Sequence, residues 1–427
     1  MRVRVAFAAG LAALCLPGGA HAAVQELVLR SQALQLKPYG VAQGVIAVPS
    51  PNVDGYVTGM NVEVIDTSGR VQTPFDVMLH HAVFVKALAP DYTCNRFLDF
   101  DGRPSPIAAE RFFGAGEEHM ELALPAGYGY SNRGSDVWAL VYMLMNHRNA
   151  PATVHVQYRV RYTTGEQLTA VRPIWLDVAN CRADPIFTVP GTGATGSTFT
   201  RTTDFTMPES GRLVAGGAHL HGGGIRLELR NRSCGDRAQF TSRPTWSATH
   251  PMPTMHEPGP IHMTSFADAG GIPVAAGETL RLRAVYDGSR PHMRVMGIMI
   301  AYLAPGAVAR CADAPDLDAS APGGDRPPHV HQPLLRRPRG ALARVRSTSV
   351  GEYRFGAERV LLAPGDRFRW RFIGAERHDV TLANGPAGFA SPSLRTGTFS
   401  YRFRRKGTYN LYCTLHPTLM TQQVVVR

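Results

Sequence analysis

Apolar side chains recur at every second position along several stretches of this chain, and a period of two commits a segment to β-strand. Val154, Val156, Tyr158, Val160 and Tyr162 alternate with His155, Gln157, Arg159 and Arg161. Ile225, Leu227 and Leu229 alternate with Arg226, Glu228 and Arg230, as Phe368, Trp370 and Phe372 do with Arg367, Arg369 and Arg371. Successive strand side chains point to opposite faces, so each stretch offers one apolar face to a core and one charged face to water. Helical periodicity is confined to one short candidate, residues 107–113. The expected class is all-β, built from antiparallel β-sandwiches.

Turn-rich sequence divides the strands. PIWLDVANC ends at Cys181 and is followed by the Gly/Thr-rich VPGTGATGSTFT, while residues 311–345 shift to Asp, Ala, Pro and Gly and then to LLRRPRGALARVR. The first reads as a boundary and the second as a linker. The expected units are a sandwich over 23–180, a second over 181–310, the linker over 311–345, and a small third sandwich over 346–427. Residues 1–22 have the form of a cleavable signal peptide: Arg2 and Arg4, an apolar run over 5–16, then Ala20-His21-Ala22. Lipoprotein processing at Cys15 would require a small residue where the bulky Leu14 stands. No later stretch reaches the ~18 uninterrupted apolar residues of a membrane-spanning helix. The mature chain is therefore expected to be secreted or periplasmic, with no transmembrane segment.

The formal charge of +12 comes almost wholly from arginine, because Lys37, Lys86 and Lys406 are the only lysines. These arginines are spread through alternating strands and are not gathered into a patch with interleaved aromatics, which argues against nucleic acid as a partner. Five cysteines follow the signal segment: Cys94, Cys181, Cys234, Cys311 and Cys413. An oxidising compartment allows two disulfides once Cys413 is set aside as a metal ligand, and Cys234 with Cys311 is the preferred pair because together they bracket one unit.

The reason to set Cys413 aside lies in GTYNLYCTLHPTLM, where a strand runs into Cys413, His416 follows three residues on, and Met420 four beyond. Thiolate and imidazole bind copper strongly and a thioether binds it weakly at longer range, the ligand set of a one-electron site. His378, in ERHDVTLANGP, supplies the second imidazole. These residues resemble the plastocyanin/amicyanin group of cupredoxins over residues 347–427. The resemblance implies a type 1 (blue) copper held by His378, Cys413, His416 and Met420. Many relatives place Asn after the first histidine, whereas Asp379 stands here.

Two further histidine groups lie upstream. His80 and His81 open HHAVFV, and His147 follows VWALVYMLMN. Adjacent strand residues face opposite ways, so joint ligation by His80 and His81 requires a local irregularity or the use of different ring nitrogens. His219 and His221, at i and i+2, share a strand face and can grip one ion. HMRVMGIMIAYLAP then supplies Met293, Met296 and Met299. The order HH, H, HxH, Met resembles the ascorbate-dependent copper type II monooxygenases, the peptidylglycine alpha-hydroxylating and dopamine beta-monooxygenases, over residues 56–305.

That resemblance implies two type 2-like coppers. His80, His81 and His147 would hold one that delivers electrons; His219, His221 and a methionine would hold one that activates O₂. The methionine is Met296 if the strand is aligned without a gap to its Ala-Pro end, and Met293 if its apolar residues are counted differently. The expected activity is hydroxylation of a C–H bond in an unknown small-molecule substrate, with His219, His221 and Met296 as the catalytic set. Electrons would come from the fused cupredoxin, a redox partner protein, or an external reductant such as ascorbate. The alternative is a non-catalytic copper-binding electron-transfer protein. In its favour, the peptide-amidating relatives carry an arginine two residues before HxH and polar residues after the methionine, where this chain has Gly217, Ile298 and Ile300. His250, His256 and His262, with Met252, Met255 and Met263, fall in a Pro-rich segment that could load copper, line a cleft or sit in solvent. His329 and His331 in the linker are equally open, and His155 is expected on a polar face.

Overall fold

The structure is a computed structural model that describes residues 24–94, 103–104, 108–179, 181–182, 184–247, 257–317, 327–328 and 332–427. Residues 1–22, expected to be a signal peptide, and His250, His256, His329 and His331 lie outside these residues. The alternating stretches form strands: Ala152–Thr163, Gly224–Asn231 and Arg367–Phe372. Val154, Val156, Tyr158 and Val160 are fully buried, as are Leu227, Leu229, Phe368 and Trp370. The architecture is all-β. Among the described residues no helix is long and apolar enough to cross a membrane.

The helix expected near residues 107–113 is instead the strand Ala109–Gly116, with Ile107 outside the described residues. It pairs antiparallel with Val77–Ala87 through a bulge at Phe84/Val85. Phe112 and Phe113 are both buried in the core, so neither face is left polar as an amphipathic helix would require. A single helical turn carries its nucleation cost alone and yields to such packing.

Three apolar cores organise the molecule. The first lies between a ten-stranded sheet and a four-stranded sheet ordered Val41–Val48, Trp138–Asn146, Val77–Ala87, Ala109–Gly116. The second lies between the far part of the same ten-stranded sheet and a four-stranded sheet ordered Thr198–Thr206, Thr279–Asp287, Gly224–Asn231, Arg237–Ser242. The two cores therefore share strands. On Gly297–Pro305, Ile298, Ile300 and Tyr302 enter the first core while Met299, Ala301 and Leu303 enter the second. Burial on both faces explains why GIMIAYLA is continuously apolar and does not alternate with polar residues.

Two disulfides form, Cys94–Cys181 and the preferred Cys234–Cys311, while Cys413 is a free, buried thiol. Both bonds suit an oxidising compartment. The third core lies between two four-stranded sheets. One is ordered Arg354–Phe355, Ser347–Gly351, Arg367–Phe372, Gly397–Arg402; the other Arg359–Leu362, Thr421–Val426, Gly407–Tyr412, Thr381–Asn384. Residues 332–343 run along this unit: Gln332 donates to the Tyr412 hydroxyl at 2.9 Å, Arg336 pairs with Glu358, and Ala343 bridges to Val360.

Candidate metal centres

In the C-terminal unit the strand Gly407–Tyr412 delivers Cys413 to the end of its sheet. The loop then folds back on itself: His416 N–H donates to the Cys413 carbonyl, Met420 N–H to the His416 carbonyl, and Cys413 N–H to the Met420 carbonyl. His378 arrives from just before the strand Thr381–Asn384, which pairs with Gly407–Tyr412. The Nδ1 atoms of His378 and His416 lie 3.2 Å apart, and Cys413 Sγ lies 3.6 Å from His416 Nδ1. Two imidazole nitrogens on one tetrahedral ion, each at about 2.0–2.1 Å, stand roughly 3.3 Å apart, so these spacings fit a shared metal. Met420 is buried in the same core.

The electrostatics agree. Burial pushes the Cys413 thiol far up, so a thiolate persists there only against a cation. Burial also holds His378 and His416 below the usual imidazole range, in the neutral form that ligates. Asp379 N–H donates to Cys413 Sγ at 3.4 Å. Tyr353 covers the pair edge-on, its ring 4.8 Å from that of His416.

Upstream, the required irregularity is present. The ladder between Val77–Ala87 and Trp138–Asn146 shifts register between Leu79 and His81, a bulge that takes His80 out of strict alternation. The Nδ1 atoms of His80 and His81 consequently lie 3.2 Å apart. His219 and His221 come from Gly211–Leu220 and the turn after it, their rings 4.8 Å apart. The His221 ring touches that of His80 at 4.6 Å. Tyr286 pins this corner: His221 N–H donates to its hydroxyl at 3.1 Å, and the hydroxyl donates to the Met296 carbonyl.

This differs from the two separate sites expected. The shared sheet seals one sandwich against the other, so the HH and HxH pairs form one buried histidine cluster. His147 follows the neighbouring strand Trp138–Asn146. Its N–H donates to the Asp76 carbonyl, four residues before His80, which is about 13 Å of strand. No described contact joins its ring to the other histidines. Met296 is buried in the first core and lines a small cavity with His81, Ile298 and Trp175. Met293 instead packs against the C-terminal core, and Met299 lies in the second core. His262 is exposed, and His155 is half-buried with its Nδ1 2.9 Å from the Ser31 carbonyl.

Several site residues lie outside any sequence motif. Glu118 is buried, and His219 Nδ1 donates to its carboxylate at 2.7 Å. Burial opposes charge on both, yet each holds the other charged, with His219 raised and Glu118 lowered. His219 Nε2, His81 Nε2 and His147 Nε2 are buried without a hydrogen-bond partner among the described residues, as a nitrogen reserved for a metal would be. Burial pushes His81 down to about 3. His292 repeats the pattern, with Nδ1 bonded to Glu257 at 2.7 Å and Nε2 without a partner among the described residues. Gly116 leaves the space for the His219–Glu118 pair, since a Cβ there would sit 2.5 Å from the imidazole. Met120 lies over Gly217, a Cβ of which would meet its sulfur at 2.4 Å. It lines a cavity of about 30 Å³ with His81, His219, Ile298 and Ile300. The acidic doublet Glu117-Glu118 just after the strand Ala109–Gly116 was the one available hint.

The two centres face a common space. A cavity of about 110 Å³ is lined by His80, Met143 and Met145 on one side and by Tyr412, Thr414 and Leu415 on the other.

Comparison with known proteins adds the following. The family model described as Stress up-regulated Nod 19 matches residues 174–305, less than a third of the chain. No curated protein matches. Among solved structures, an oxidised amicyanin mutant is 25% identical over 21% of this chain and 83% of its own, with a TM-score of 0.18. A purple cupredoxin from Nitrosopumilus maritimus is 22% identical over 19% of this chain and 98% of its own, also at 0.18. A reduced amicyanin mutant is 28% identical over 21% and 83%, at 0.17.

Proposed function

We propose that the chain is an exported copper oxidoreductase. Its C-terminal unit would hold a blue copper through His378, Cys413, His416 and Met420, and the buried histidine cluster a second copper. Bound copper would supply one-electron transfer at the first centre and one-electron activation of O₂ at the second. The observation that carries this reading is the common cavity between His80 and the Tyr412–Leu415 loop. It sets the His80 imidazole on the same cavity as Thr414 and Leu415, the two residues between Cys413 and His416. The chain's own contributions are orientation and exclusion of water. Glu118 fixes the tautomer of His219, the bulge aims His80 and His81 together, and the core of Ile298, Ile300 and Trp175 keeps the cluster dry.

Hydroxylation of a small, apolar C–H substrate is the chemistry this site suits, because Met120, Ile298 and Ile300 replace the charged recognition groups of peptide-amidating enzymes. A cavity of about 30 Å³ has room for about one water, so substrate would enter from the larger cavity. Electrons would come from ascorbate or a redox protein by way of the C-terminal unit. The small cavity and Gly217 also favour a second reading, an electron-transfer protein without turnover.

The test begins with copper-loaded protein reduced without oxygen and then exposed to O₂. Reoxidation of the blue centre should slow at least tenfold in His219→Ala with the blue spectrum unchanged. Equal rates in both proteins would remove the cluster from the pathway. O₂ uptake that rises only with an added C–H substrate would separate the enzyme from the electron carrier.

A further inference from the structure

The C-terminal unit is fastened to the body beside its metal centre. Gly388 N–H donates to the Pro190 carbonyl at 2.8 Å, and Arg405 donates to the carbonyls of Gly191 at 3.2 Å and Thr192. From the body strand His292–Val295, Met293 packs into the C-terminal core. The next residue, Arg294, adopts a left-handed conformation with φ of 53°. Its guanidinium stands 3.6 Å from Asp379 Oδ2, the two side chains 17% and 0% exposed. A second carboxylate, Asp184, lines the same cavity as Arg294.

Asp379 follows the ligand His378 and is the residue that departs from the asparagine of many cupredoxins. Its N–H donates to Cys413 Sγ. Its Oδ1 accepts from Thr414 N–H at 3.2 Å and from the Thr381 hydroxyl at 2.8 Å, and its Oδ2 accepts from the Thr414 hydroxyl. A carboxylate here braces the ligand loop as an amide would, and it adds a buried negative charge next to the thiolate. A buried charge requires a partner, and that partner comes from a different unit of the chain.

We infer that Arg294 is a positioning residue for the copper centre of the neighbouring unit: the body supplies the cation that balances Asp379, so docking and reduction potential are coupled. The inference rests on the blue-copper reading above. Asp379 alone favours the cupric state, and Arg294 offsets it towards the cuprous state. By linkage, whatever docking does to the potential, reduction does to docking, so the reduced centre holds the body more tightly than the oxidised one.

The experiment uses the full-length, copper-loaded chain and measures midpoint potential and visible spectrum for wild type, Arg294→Met, Arg294→Lys, Asp379→Asn and the Met/Asn double variant. Arg294→Met should lower the potential, Asp379→Asn should raise it, and Arg294→Lys should restore the wild-type value. The double variant should return towards the wild-type value, because the two opposite charges are removed together. If Arg294→Met does not fold, the lysine and asparagine variants carry the comparison. An intact blue spectrum with the same potential in Arg294→Met and wild type, or a double variant displaced as far as Arg294→Met alone, would overturn the inference. A wild-type protein with no blue absorption would overturn the blue-copper reading and the inference with it.

Discussion

The two candidate metal centres are built in opposite ways. At the C-terminal centre three of the four candidate ligands fall within eight residues, Cys413 to Met420, and the fourth, His378, sits just before the adjoining strand. At the upstream centre the histidines come from strands nearly 140 residues apart and meet only because two cores share one sheet. The geometric result differs accordingly. His378, Cys413 and His416 bring their ligand atoms within 4.8 Å of one another. The only other such group among the described residues, Cys234–Glu278–Cys311, has its cysteines joined in a disulfide. The upstream histidines touch ring to ring without reaching that mutual closeness. A site made by one loop is preformed by local hydrogen bonds, whereas a site made between cores depends on their packing and on buried carboxylates that aim its rings.

The sharpest way to break this comparison is to remove one centre and ask whether the other survives. Cys413→Ser should abolish the thiolate-to-copper absorption entirely while leaving upstream copper bound, as read by metal content and visible spectroscopy. A parallel loss of upstream copper would make the two centres one cooperative unit. Next in size is the carboxylate that orients His219. Glu118→Ala should weaken upstream copper binding by about 10- to 100-fold, measured by competition with a chelator, with the C-terminal affinity unchanged.

Those two sites were not equally legible in the sequence. Cys413, His416 and Met420 announce themselves by spacing within one loop, and alternation around Trp370 and Tyr158 gives away the strands. The joining of His80 and His81 with His219 and His221 depends on the strand Gly297–Pro305, whose unbroken apolar run conceals that its faces serve two cores. Glu118, His292, Glu257 and Met120 are single residues without periodicity, and contact across sheets alone gives them meaning. His147 is the position where order along the chain and the ring contacts have not yet met, and its place in the ligand set rests on experiment.

Packing offers a smaller test of the same contrast. Gly116→Ala would drive a methyl into the His219–Glu118 pair and should destabilise the protein by about 1–3 kcal/mol, seen by chemical denaturation. An equivalent change at Gly365, where a Cβ would meet nothing within 4 Å, meets only its own backbone strain at φ of 93°. That change should leave upstream copper affinity untouched.

The smallest effect concerns His147. Burial lowers it to about 4, below the ~6.5 of an unfolded chain. Its contribution to stability is therefore complete above pH 6.5 and is lost as pH falls from 6.5 towards 4. In metal-free protein, His147→Gln should flatten the acid limb of the stability curve by about 1–3 kcal/mol, discounted for its partial exposure. Copper affinity should not change, and a fall in upstream affinity would return His147 to the ligand set.

The most direct test of the account is copper per chain, combined with electron paramagnetic resonance of the oxidised full-length protein. Two coppers are expected, one giving a blue-type signal and one an ordinary cupric signal, with the ordinary signal alone lost in His219→Ala. A lone blue-type copper, or a pair of independent ordinary signals beside it, would contradict a single histidine centre facing the blue one.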